Sequence, residues 1–148
     1  MSRQEATLSA GSEIHVGAPA VPLAQPYELA LRDVVQADAD VAFAYVPMIT
    51  LPGQGPELML VLYCRRGADP AEVLERLVPL VQSGLAQAES SVGKRPPELG
   101  VMPISLGRPL DGLAQAVAQT DTVLHVSDVQ AWQQSRAPQR PWWLRWLP

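Results

Sequence analysis

Apolar positions recur along this chain with two alternating periods, and each changeover marks an element. Glu13 to Val16 alternates apolar and polar residues and reads as a short strand ending at Gly17. In QPYELALRDVVQ, residues 25–36, Tyr27, Ala30, Leu31, Val34 and Val35 fall at helical spacing, and Pro26 suits a first turn. DVAFAYVPMI, residues 40–49, returns to period two. It sets Val41, Phe43 and Tyr45 on one face and the small Ala42 and Ala44 on the other. Pro47 lacks a ladder donor, so this strand is expected at an edge or with a bulge near its end. ELMLVLYC, residues 57–64, is apolar on both faces, as a central strand is. The Gly- and Pro-rich TLPGQGP joins the two as a long-looped antiparallel hairpin.

The clearest helix follows. Asp69 can cap it, Pro70 opens it and Glu72 completes a capping-box spacing. Its stripe is Val73, Leu74, Leu77, Val78, Val81 and Leu85, with a kink expected at Pro79. AESSVGKRPP, residues 88–97, reads as a polar loop, and ELGVMPIS, residues 98–105, as a third long strand. DGLAQAVAQT gives a short helix with Leu113, Ala114 and Val117 inward. TVLHV, residues 122–126, is a last strand, and Ser127 can cap a final helix through Trp132, which packs inward. The order β-α-β-β-α-β-α-β-α implies an α+β fold: a mixed, mainly antiparallel sheet with helices packed chiefly on one face. Three segments result: a flexible lead-in over 1–12, a single domain over 13–135, and a Trp- and Arg-rich tail over 136–148.

A length of 148 residues, 47% hydrophobic and 18% charged, fits one globular domain. No apolar run reaches the ~20 residues of a membrane span. The first residues lack a signal-peptide core, and the single cysteine excludes an internal disulfide, so a cytoplasmic setting is expected. Charge divides the chain. Up to Ser135 there are 8 basic and 15 acidic residues, a net −7, and from Arg136 there are 3 basic and none acidic. Such a body suits a basic protein partner and disfavours nucleic acid and anionic lipid.

The stretches EIHVGAPA, VAFAYVPMI, ELMLVLYC, ADPAEVLERLVPLV and GVMPISLGRPLDGLAQAV, taken in order, resemble the C-terminal domain of the bacterial enhanced serine sensitivity (SseB) family over residues 13 to about 125. The resemblance implies a small cytoplasmic α+β protein and brings no agreed catalytic centre with it.

No phosphate loop, nucleophile elbow or zinc-protease motif is present. His125, Ser127 and Asp128 carry the letters of a triad, but a strand end followed by a cap accounts for them more simply. His15 and His125 can meet only if their strands pair, and two histidines make a poor zinc signal. Cys64 precedes Arg65 and Arg66, which would favour a thiolate, yet a buried strand-end thiol is the stronger reading. Asp38 with Asp40, and Glu72 with Glu75, fit capping and solubility better than acid–base work. No catalytic, metal or cofactor-binding residue is therefore assigned, and an enzyme is not expected.

The tail, PWWLRWLP, is open to three readings, in descending weight: packing on its own core, docking to a protein through Trp142, Trp143, Arg145 and Trp146, or contact with a membrane surface. The function expected is a non-enzymatic interaction module, such as a cytoplasmic neutraliser or adaptor for a basic toxin or secreted effector. A sensor of a small, serine-linked metabolite is the alternative.

Overall fold

The structure, a computed structural model, describes residues 14–136 and the backbone of Ala6–Leu8. Its elements run β1 (Ala6–Leu8), β2 (Ile14–Gly17), α1 (Gln25–Gln36), β3 (Val41–Tyr45), β4 (Met48–Thr50), β5 (Pro56–Cys64), α2 (Pro70–Val92), β6 (Leu99–Ser105), α3 (Gly112–Ala118), β7 (Val123–Val126) and α4 (Val129–Arg136). The fold is α+β, as the periodicity implied. One strand, β1, lies within the stretch 1–12 expected as a lead-in, where it pairs antiparallel with β2.

Everything is organised on β5. Its inner positions are apolar on both sides, and Leu60 to Cys64 are fully buried. On one side it pairs in parallel with β6, from Leu58↔Leu99 to Cys64↔Ser105, with α2 as the crossover. On the other side it pairs antiparallel with two strands in succession: β3 at Cys64 to Val61, and β4 at Leu58 to Pro56. The run 40–49 is thus broken at Val46 and Pro47 rather than continuous. Pro47 supplies no donor, while its carbonyl still accepts from Met59 N at 3.0 Å. Beyond the break the outer neighbours differ, β7 beside β3 and β2 beside β4, so the sheet forks. Of the two outcomes expected at Pro47, the edge does not hold, because β3 is paired on both sides. The irregularity near the strand's end does, the register against β7 shifting between Ala44 and Tyr45.

A bulge between Val41 and Phe43 corrects the facing of β3. An extra residue in a strand reverses the alternation beyond it. Val41, Ala44 and Val46 therefore join the core beneath α1 and α2, with Leu60, Leu62, Leu77 and Val81. Ala42, Phe43 and Tyr45 join the opposite core, with Val61, Tyr63 and Val117. At the bulge, the Ala42 carbonyl accepts from both Ser127 N (2.8 Å) and Asp128 N (3.0 Å).

The two long helices cover one face, and the short α3 and α4 pack against the other. Of the stripe expected on α2, Val73, Leu77, Val81 and Leu85 are buried, while Leu74 and Val78 are half-buried. The helix continues through Pro79 and through AESSV, which was expected as loop. It stops at Gly93, whose φ of 78° is the left-handed cap that glycine adopts without a Cβ penalty. Polar residues in the last turns face solvent, so polarity there marks an exposed helix side, not a loop.

Tyrosines fasten α3 from below. Tyr63 Oη donates to Ala114 O at 2.6 Å and Tyr45 Oη to Ala118 O at 3.2 Å. Their rings, with Phe43, form one cluster in which Phe43 and Tyr63 stack at 4.4 Å between centroids.

Candidate functional site

Cys64, Asp38, Asp40, His125 and Asp128, singled out in the sequence, each have neighbours that engage them. Cys64 ends β5 with its side chain fully buried and its Sγ 3.7 Å from Leu62 O. Burial pushes the thiol up to about 11. Arg65 and Arg66 leave the strand as exposed residues and do not offset that cost.

Asp38 and Asp40 sit in the turn between α1 and β3 and converge on Arg76 of α2. The guanidinium reaches Asp38 through Nε–Oδ2 (2.8 Å) and Nη2–Oδ1 (3.0 Å), and Asp40 through Nη2–Oδ2 (3.0 Å). Asp38 Oδ1 also accepts from Asp40 N. Hydrogen bonding to Arg76 is the main cause that holds the Asp38 carboxyl below its usual value. The three side chains form a staple between two helices and a strand; Glu72 and Glu75 lie exposed beside it.

His125 and Ser127 do meet, with Nε2 3.0 Å from Oγ. Asp128 does not complete a relay. Its Oδ1 accepts from Ala131 N at 3.0 Å and its Oδ2 faces Arg65 at 3.9 Å. Asp128, not Ser127, is therefore the cap of α4: the bulge on β3 draws both amides to Ala42 and leaves the longer Asp128 side chain to reach the helix. His15 and His125 lie on strands that do not pair. Among the described residues, no three His, Cys, Asp or Glu side chains gather so as to hold a metal ion, and no helix is long and apolar enough to cross a membrane.

The outer layer offers a surface. From α1 through the turn to β3, and along α2, eight carboxylates (Glu28, Asp33, Asp38, Asp40, Asp69, Glu72, Glu75 and Glu89) stand against Arg32 and Arg76. Between the helices runs a groove of about 600 Å³, bordered by Leu29, Val34 and Leu80. Leu29 is 44% exposed and Leu80 51%. The helices approach closely because Gly84 of α2 faces Ala30 and Val34 of α1. Helical spacing alone had not singled out Leu29 and Leu80; their signal was that each falls outside its helix's buried stripe.

Trp132 packs against the lower core from α4, as expected, and stands within cation–π range of Arg136, 5.3 Å from guanidinium to ring centroid. Trp142, Trp143, Arg145 and Trp146 lie outside the described residues. No protein-family model, curated protein or solved structure matches this chain.

Proposed function

We propose that this protein acts by binding another protein, not by catalysis, and that the α1–α2 face is the contact surface. The observation that carries the reading is the pair Leu29 and Leu80, two exposed leucines bordering one groove in a helical layer that carries eight carboxylates. Buried apolar anchors within a charged rim are how interfaces combine affinity with steering. The partner of complementary chemistry is basic, with an amphipathic helix that lays apolar residues into the groove. A toxin or secreted effector neutralised by this chain fits that description, and so does a client held by an adaptor. The engagement of Cys64, Asp38 and Asp40 in packing and ion pairing supports binding over chemistry.

The test is affinity capture from native cells with the full chain, with Leu29→Glu/Leu80→Glu, and with residues 138–148 removed. A basic protein retained by the full chain at low salt, and lost in the double variant, supports the reading. Equal capture by the double variant overturns the groove as the contact surface. Loss only on removing 138–148 transfers the contact to the tail.

A further inference from the structure

A second concave surface, on another part of the molecule, carries the opposite charge. It lies at the carboxyl ends of the parallel pair β5 and β6, the position where open α/β sheets hold ligands. Leu106 N donates to Cys64 O at 2.9 Å, which keeps the two chains side by side beyond the strands. A Cβ placed on Gly107 would stand 4.0 Å from the Cα of Arg66, so the two loops run in close contact. Arg65 and Arg66 leave the first loop and Arg108 the second, and all three border a cleft of about 660 Å³. This acidic chain thus gathers three of the eight basic residues preceding Arg136 in one depression.

Among the described residues, Asp128 is the one carboxylate bordering the cleft, and it is matched to Arg65 at 3.9 Å. The side chains of Arg66 and Arg108 make no ion pair or hydrogen bond with another described residue. Two exposed guanidiniums on touching loops therefore border the same cleft, an arrangement that suits a bound oxyanion. From α4 come the side-chain amides of Gln130 and Gln134, and Leu106 and Leu110 add apolar lining. Guanidinium donors, neutral hydrogen-bonding groups and apolar lining in one cleft describe a ligand as well as a charge.

We infer that this cleft binds a small organic anion, held by its phosphate or carboxylate between Arg66 and Arg108, with its uncharged part against α4. The site is separate from the α1–α2 groove and stands or falls independently of it.

Titrating the full chain with inorganic phosphate, glycerol 3-phosphate and citrate, followed by amide chemical shifts, tests the inference. Saturable shifts are expected at Arg66, Gly107, Arg108 and Gln130, with affinity about tenfold weaker or worse in Arg66→Gln/Arg108→Gln. Arg95→Gln, an exposed arginine elsewhere, should bind as the parent does. The variants' own spectra report whether the fold is kept, and the single Arg108→Gln repeats the test should the double variant lose it. Binding of the phosphates alone, or of citrate alone, identifies the group recognised. Absence of saturation with all three anions, or an affinity unchanged by the arginine substitutions, overturns the site.

Discussion

The indole Nε1 of Trp132 donates to the Tyr45 hydroxyl at 2.8 Å, and that hydroxyl passes its own proton toward the Ala118 carbonyl at 3.2 Å. A residue on α4, one on the central strand β3 and the end of α3 are joined in a single relay. Removing its middle member leaves the Trp132 indole without its acceptor and the Ala118 carbonyl with the longer bond from Arg136 Nη1 at 3.4 Å. Tyr45→Phe should therefore destabilise the domain by roughly 1–3 kcal/mol. Trp132→Phe, which leaves the Tyr45–Ala118 bond intact, should cost about 1 kcal/mol. Urea denaturation of the three chains gives the ranking, and an equal loss for both substitutions would deny the relay.

Acid should loosen the domain through Asp38. Its carboxyl is held below the usual value, so the unfolded chain binds the proton more readily than the folded one. The stabilisation is present above the ordinary aspartate value of 3.8 and is lost as pH falls through the lower folded value. Arg76→Gln removes the main cause of that shift, so its stability should fall less between pH 5 and pH 2 than that of the parent, as read by thermal melts across this range.

Cys64 should resist alkylation in the native state. Burial holds the thiol up to about 11 and closes the path to it. Iodoacetamide at pH 8 should modify it only at the rate at which the domain opens, with fast labelling in denaturing urea. Rapid native labelling would mean that β5 is far more accessible than its burial implies.

Two leucines one turn apart on α2 should behave oppositely. Leu77 is 1% exposed and Leu80 is 51% exposed. Leu77→Ala should cost roughly 2–5 kcal/mol, whereas Leu80→Ser should fall within about 0.5 kcal/mol of the parent. Chemical denaturation of both variants separates core from surface.

Gly84→Ala should stabilise. An added Cβ stands 3.7 Å from both Ala30 Cβ and Val34 Cγ2, which is ordinary contact. Alanine in place of a mid-helix glycine then contributes about 0.5–1 kcal/mol. A fall in melting temperature would show that α1 and α2 are pressed together more tightly than these distances allow.

Much of this architecture is readable from periodicity, because the strands around β5 and the stripe on α2 each bury a face whose spacing the chain must keep. Four features escape for definable reasons. The bulge at Ala42 is a register shift against β5, and its carbonyl is taken up by the amides of Ser127 and Asp128, about eighty residues distant. The last turns of α2 carry AESSV, whose polarity suits an exposed helix side and a loop equally well. The arginine cleft needs the loops after β5 and β6 to touch, and only Arg65 and Arg66 are neighbours in sequence. The staple on Arg76 escapes for the same reason, since Asp38 and Arg76 are brought together only by the packing of α1 on α2.

The fork at Pro47 bears on how the domain comes apart. One prong, β4 with β2 and β1, and the other, β3 with β7, share β5 but do not pair with each other. Neither prong has to open for the other to open. Amide hydrogens should therefore exchange in three classes: those of β5 slowest, and those of the two prongs at separate rates, each set by its own opening. A protein that binds through its helical layer would thus rest on a sheet whose outer strands breathe independently while the strand beneath both long helices stays closed.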